Sequence, residues 1–218
     1  MCFKKPDGGC ITSYFKPPVP ISFEAMATHH ITNEFVDNCP PFNEEDRTAL
    51  QKILDESIMV AHNAPFDISI LEREGLKVPH FIDTLKVCQK LFDEPMYKLQ
   101  YFRYRFNLQI EARAHDAEGD VLVLEALFNY LMERMRNYDP AVPANEWKNG
   151  DSNSDDRIIS IMTDISTKPV LIRRITFGKY RGMEFKDLPR DYMRWLSGQS
   201  ELDEDLKFTL SHYLQVHG

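Results

Sequence analysis

The feature that most constrains the fold is the stretch 113–122, where a polar loop runs into an apolar helix. Leu124, Leu127 and Leu131 follow Asp120 at the spacing of one helical face. The sequence therefore predicts a carboxylate at the head of a core-facing stripe. An unpaired charge in such a place is costly, so Asp120 requires a cation or a base as its partner.

A second stretch repeats this design. Residues 57–61 are predicted to form a buried strand, and a helix follows with Asp67 one turn before Ile70 and Leu71. Two helices would thus each present an aspartate at the core-facing side of their first turns. Carboxylate oxygens in such a pair are the ligands that Mg²⁺ or Mn²⁺ prefers. The sequence therefore predicts a divalent-cation site.

Two short segments carry a family resemblance. Residues 62–67 (His-Asn-Ala-Pro-Phe-Asp) resemble the second motif of the DEDDh 3′–5′ exonucleases, and residues 115–120 (His-Asp-Ala-Glu-Gly-Asp) resemble the third. That superfamily, also called DnaQ-like, includes RNase T and the proofreading subunit of bacterial DNA polymerase III. The resemblance extends from the first residue to about Arg136. It implies an α/β fold, with an RNase H-like mixed sheet flanked by helices.

The resemblance also implies residue roles. Two divalent ions, Mg²⁺ or Mn²⁺, would be held in part by Asp67 and Asp120. His115 would be the general base that takes a proton from the attacking water. Asn63 and Phe66 are weaker candidates for positioning the terminal nucleotide. For Phe66 a place in the core is at least as strong an interpretation.

One part of the family pattern is missing. The family opens with a central strand carrying Asp-x-Glu, whereas residues 1–5 resemble its second strand and no segment matches the first. We expect the strands at 1–5 and 57–61 to have unpaired inner edges, and metal affinity to be low without those two acids. We interpret the chain as an N-terminally truncated fragment of an active exonuclease. The alternative is a catalytically inactive nucleic-acid-binding or scaffold module.

The chain is predicted to have three parts. An exonuclease domain, incomplete at its N-terminus, spans 1–137, a polar linker with Pro and Asn-Gly spans 138–164, and a small α+β module spans 165–218. Residues 177–182 and 192–196 of the module resemble the C-terminal module of some bacterial exonucleases of the exonuclease X type. We expect a loosely packed linker and a module that docks on the exonuclease domain, because so short a module has little core.

Two smaller predictions concern single residues. Lys179 and Arg181 flank Tyr180 in a glycine-bounded turn, and they are candidates for contacts with a nucleic-acid strand. The alternative is a solvated turn, and the sequence does not favour either. Asp83 ends a predicted strand, and it is interpreted as a cap of the next helix rather than a third metal ligand. Residues 170–177 are predicted to form a strand.

Composition limits the partners. The net charge of −8 argues against a protein that coats nucleic acid nonspecifically, but it allows an enzyme that holds one strand end through metal ions. The predicted partner is the 3′ end of single-stranded DNA, with RNA as the second candidate and no polymerase assigned. No apolar run has the length of a membrane span. Four cysteines without metal-ligand spacing predict free thiols and a cytoplasmic location.

Overall fold

The structure is a computed structural model, and it describes residues 1–5, 8–110, 117–139 and 153–216. The strands in these ranges are β1 (Cys2–Lys4), β2 (Cys10–Thr12), β3 (Met59–Ala61) and β4 (Phe81–Asp83). The helices are α1 (Phe23–His29), α2 (Asn33–Val36), α3 (Glu44–Glu56), α4 (Ala64–Arg73), α5 (Thr84–Leu91), α6 (Leu99–Arg105), α7 (Ala117–Met135), α8 (Asp155–Thr167), α9 (Arg190–Ser197) and α10 (Glu204–Val216). None of these helices is long and apolar enough to cross a membrane.

The strands form two separate pairs. β1 pairs with β2 in an antiparallel hairpin, and β3 pairs with β4 in parallel. Over the described ranges no strand is hydrogen-bonded between the two pairs. The α/β class is confirmed. In the described ranges β1 and β3 each pair with one strand.

Helix α7 connects the two halves of the exonuclease domain. It packs against the hairpin and against α5, α6 and α8, and the Lys4 ammonium contacts the Glu125 carboxylate at 2.6 Å. Its buried residues are Gly119, Val123, Leu127, Leu131 and Met135. The predicted seam is thus shifted by one residue in its first turns. Asp120 lies at the edge of the buried face and is half-buried, rather than at its head.

The main core lies among α5, α6, α7 and α8. Phe102 is fully buried at its centre. Its ring stacks on Phe106 with centroids 5.2 Å apart, and Phe106 stacks on Tyr130 at 4.3 Å. These rings fasten α6 to α7.

The prediction of a linker over 138–164 is wrong for its last part. Residues 155–164 belong to α8, whose N-terminus is capped by the Ser154 side chain. Ile158 and Met162 of this helix are fully buried in the main core. The polar run before them is the acidic first turn of a helix, which the helix dipole favours, and not the start of a flexible segment.

The C-terminal module is mostly helical. The strand predicted over 170–177 is wrong, since the described part of the module holds only an isolated β-bridge. The backbone N–H of Val170 donates to Asp205 at 2.8 Å, and that of Ile172 donates to Thr209 at 2.9 Å. Side chains of α10 therefore accept the hydrogen bonds that a neighbouring strand would otherwise accept.

The module has a core of its own and docks on the exonuclease domain. Its buried residues are Ile175, Phe185, Leu188, Met193, Leu196, Leu206 and Leu210. The nearly buried Lys86 of α5 pairs with Asp205 at 3.3 Å. Arg174 contacts Asp93, just after α5, at 3.1 Å. The expected docking is confirmed by these ion pairs, which join the module to α5 and to the residue just after it.

Candidate active site

Asp67 lies in the first turn of α4, next to the loop that follows β3. The apolar face predicted for α4 is only half covered. Leu71 packs against the small cluster of Leu50, Leu54 and Leu76, whereas Ile70 is 45% exposed. Asp67 is itself exposed as a residue, so it does not point into a core.

The carboxyl group of Asp67 has a raised pKa. Burial of this group is the main cause, and the nearby negative charge of Asp83 adds to it. Among the described residues, neither aspartate forms an ion pair with a lysine or arginine. Two neighbouring carboxylates without a cation suit a hard divalent ion.

Asp83 fixes the position of the loop between β3 and α4, here called the motif loop, which consists of His62 and Asn63. Its carboxylate accepts hydrogen bonds from the backbone N–H of Asn63 at 2.9 Å and of Leu85 at 3.0 Å. It is 1% exposed, and it caps α5 as the sequence predicted. Asn63 has a φ of 75°, and its side chain makes no capping hydrogen bond to α4. The buried acid therefore acts through the backbone, tying the loop before Asp67 to the end of β4.

Asp120 has a partner that the sequence did not indicate. The side-chain amide of Gln100, in the first turn of α6, donates to Asp120 at 2.6 Å. The amide oxygen of Gln100 is buried and has no hydrogen-bond partner in the described structure. A cation or a water molecule bound between this oxygen and the Asp120 carboxylate would satisfy it. A glutamine on the inner side of an amphipathic helix is a weak signal, and it was overlooked.

The convergence of Asp67, Asp120 and His115 stays a prediction. His115 lies outside the described residues. Within the described ranges, no three or more His, Cys, Asp or Glu side chains come together closely enough to hold a metal ion. The described donors thus supply part of a ligand set. In their chemistry these carboxylate and amide oxygens fit a divalent cation.

The predicted nucleic-acid contacts are on the surface. Phe66 is 62% exposed, so the interpretation as a core residue is wrong. Asn63, Lys179 and Arg181 are also exposed. All four are accessible to a ligand, and their contact with nucleic acid stays a prediction.

His62 begins the second motif and is mostly buried. Its Nε2 lies 2.6 Å from the carbonyl oxygen of Tyr97, and its Nδ1 lies 2.9 Å from the Thr84 hydroxyl. Burial lowers the pKa of His62, against the opposing effects of the Tyr97 carbonyl and of Asp83. The ring is therefore a structural, neutral group that joins β3 to the loop before α6.

We expect His62 to make the fold less stable in mild acid. Its pKa is below the ordinary value of 6.5 in the folded state, so its contribution is fully present above that value and is lost as the pH falls through the folded pKa. Urea unfolding at about pH 7.5 and about pH 5.5 measures the loss. His62→Gln should reduce the difference, and His29→Gln, at an exposed position, should not. An unchanged difference in His62→Gln would contradict this.

Comparisons with known proteins agree with the motifs. The RNase T exonuclease family model matches residues 4–128. Exodeoxyribonuclease 10 of Escherichia coli (strain K12) is 29% identical over 209 residues, which cover 92% of this chain and 82% of the relative. DNA polymerase III subunit epsilon of Rickettsia conorii is 32% identical over 130 residues, which cover 55% of this chain and 56% of the relative.

One solved structure is similar in fold. Exonuclease X in complex with 5′ overhanging duplex DNA superimposes with a TM-score of 0.52 at 24% identity, and the match covers 73% of this chain and 82% of that one. The family model spans both motif segments, whereas the match to exodeoxyribonuclease 10 is long enough to include most of the C-terminal module. The likeness therefore has two parts, one in the motif-bearing domain and one in the module.

Proposed function

The chain belongs to the RNase T exonuclease family, within the DEDDh 3′–5′ exonucleases, and from this we propose that it removes nucleotides from the 3′ end of single-stranded DNA with divalent metal ions. The observation that carries the proposal is the family match across residues 4–128, which includes the segments of both motif aspartates. Asp67 and Asp120 each stand in the first turn of a helix, as the motifs require. Removal of mismatched or damaged 3′ ends, in proofreading or repair, is the role that suits this activity.

Each motif residue has a proposed part. Asp67 and Asp120 would bind Mg²⁺ or Mn²⁺, with Gln100 orienting Asp120 through its 2.6 Å hydrogen bond. The bound ions supply a more acidic attacking water and offset the charge that develops on the phosphate. A ring nitrogen of His115 would accept the proton of that water. Asn63 and the exposed Phe66 would contact the terminal nucleotide.

DNA is the proposed substrate ahead of RNA. Exodeoxyribonuclease 10 and the epsilon subunit are DNA enzymes by name, and the exonuclease X structure holds a DNA duplex with an overhang. A cytoplasmic location belongs to the same proposal, supported by four cysteines that are all free thiols. No polymerase partner is assigned.

A catalytically inactive nucleic-acid-binding module is the second candidate. The observation that favours it is the lack of an Asp-x-Glu segment in the sequence, together with the absence of a described strand between β1 and β3. Under this alternative, metal would not stimulate turnover even when the strand is supplied. Single-stranded DNA would bind, but it would not be degraded.

The test uses a version of the chain to which a strand carrying Asp-x-Glu has been added. We expect Mg²⁺-dependent release of mononucleotides from a 3′-labelled strand and a ladder of shortened products from a 5′-labelled strand, both abolished by EDTA. His115→Ala should slow release by roughly a hundredfold or more, typical for loss of a general base. Asp120→Asn should abolish it, whereas Glu118→Gln, in the same turn, should have little effect. Full activity in Asp120→Asn would refute the assignment.

A further inference from the structure

The module carries a row of aromatic side chains on its surface. The row, here called the aromatic strip, consists of Phe177, Tyr180, Tyr192 and Trp195. The rings of Tyr180 and Tyr192 meet edge to face at 4.7 Å, and those of Tyr192 and Trp195 lie 5.5 Å apart at an angle of 30°. Trp195 is 59% exposed and Phe177 is 42% exposed. Such large apolar surface left open to water on one face marks a binding surface.

Helix geometry explains why Trp195 is exposed, while Tyr180 and Tyr192 are partly buried against the module core. Tyr192 and Trp195 are three residues apart on α9 and share one face, while Met193 and Leu196 on the other face are buried in the module core. The loop before α9 closes against the same surface. Gly178 has a φ of 68°, which favours glycine, and a Cβ there would lie 2.9 Å from the Tyr192 hydroxyl, so a larger residue would strain the loop and displace the Tyr192 ring. Phe177 directly precedes Gly178 in this loop.

Positive charge surrounds the strip. The Lys179 ammonium lies 5.2 Å from the centre of the Tyr180 ring, and Arg181 and Arg194 are exposed. Residues 165–218 carry nine lysines and arginines against seven acids, whereas the rest of the chain carries 17 against 27. The module is thus the basic part of an acidic protein. Cations placed among open ring faces suit a ligand that has both phosphates and flat bases.

The strip leads to the candidate active site. Between the module and the exonuclease domain lies a cleft of about 570 Å³. Asn63 of the motif loop and Pro65 of α4 line one side, and Phe177 lines the other. Acids of α10 also line the cleft, and the most enclosed of them, Asp205, is paired with Lys86. A strand lying along the aromatic rings would therefore reach the motif loop by way of Phe177.

We propose that the aromatic strip binds the unpaired bases of a single DNA strand whose 3′ end enters the motif site. The orientation of the strand, with its 3′ end towards the motif site, rests on the proposed function. The binding of unpaired bases to the strip does not. Stacking on open rings tolerates any base, which suits an enzyme that removes successive nucleotides. Bases in a duplex are already stacked on one another, so the strip selects unpaired strands. The module thereby holds substrate for a domain whose net charge repels it.

The test measures binding without catalysis. The chain has two tryptophans, so Trp147→Phe leaves Trp195 as the only indole. Titration of this 218-residue variant with oligothymidylate in EDTA should quench the fluorescence of Trp195, and an equally long blunt duplex should compete poorly. By anisotropy of a labelled strand, Trp195→Ala should weaken binding by about fivefold or more. Phe208→Ala, which removes an exposed ring of α10 outside the strip, is the matched control.

Charge is tested in the same way. Lys179→Ala combined with Arg181→Ala should weaken binding and lower its dependence on salt, whereas Lys207→Ala should not. Absence of quenching, equal affinities of Trp195→Ala and Phe208→Ala, or equal binding of duplex and single strand would each overturn the proposal. Strong binding without turnover in the strand-supplied chain would instead refute the exonuclease function and leave the strip in place. Circular dichroism melts confirm that each variant is folded.

Discussion

Supplying a strand with Asp-x-Glu before Met1 is expected to raise mononucleotide release by at least about a hundredfold over residues 1–218 alone. Even outer residues of a metal site change activity by about 10- to 100-fold, and here two direct ligands would be added. Burial raises the pKa of the Asp67 carboxyl group, and the negative charge of Asp83 adds to this effect, so a cation beside Asp67 would offset both. More carboxylates at fixed positions would hold two ions where the described acids supply only part of a ligand set.

The control for this experiment is a strand carrying Asn-x-Gln. It should pair with the open edges of β1 and β3 and raise the melting temperature as much as Asp-x-Glu does, because backbone hydrogen bonds do not depend on those side chains. It should not restore turnover. Vigorous degradation by residues 1–218 alone would show that another acid, such as Asp83 or Glu24, supplies the missing ligand. Equal turnover with both strands would contradict the metal-ligand argument.

Phe102→Ala is expected to lower the free energy of unfolding by about 3–5 kcal/mol, the usual cost of removing a large buried ring. Phe102 is fully buried, and its ring contacts Phe106, Tyr97 and Tyr101. The cavity would separate α6 from α7, so Gln100 would also hold Asp120 less firmly. Urea denaturation measures the change.

Tyr104→Ala is the matched control on the same helix. Tyr104 is 73% exposed, so its removal should change the free energy of unfolding by less than about 0.5 kcal/mol. Similar losses in the two variants would mean that α6 does not anchor the core. A loss of less than about 1 kcal/mol in Phe102→Ala would mean that the core refills the cavity.

The sequence was sufficient to predict helix starts and caps where local chemistry and hydrophobic periodicity agree. Helix α3 begins after Asn43 with a capping box, which the side chains of Asn43 and Asp46 form locally. β4 leads directly into α5 through Asp83, which is the predicted cap. The two motif aspartates stand in the first turns of their helices. In each case a few neighbouring residues determine the geometry, so no distant contact was needed to infer it.

The errors came from distant contacts. The buried seam of α7 is set by the elements packed around it, so it passes through Gly119 and Val123 rather than Asp120 and Leu124. Residues 155–164 have the composition of a linker, but the core of another part of the chain buries them. The backbone at Val170 finds its acceptor on α10. Gln100 on α6 contacts Asp120 on α7, and no spacing within the sequence predicts such a pair.

The docking of the module on α5 has a consequence for genetics. Asp83 starts α5 and holds the loop before Asp67, and Lys86, one turn later, holds the module through Asp205. One short helix thus contacts both the motif loop and the module. We therefore expect the motif loop and the module to unfold locally as a single cooperative unit. Substitutions at this joint, although they touch neither metal nor DNA, would be scored in a screen as null alleles of the nuclease.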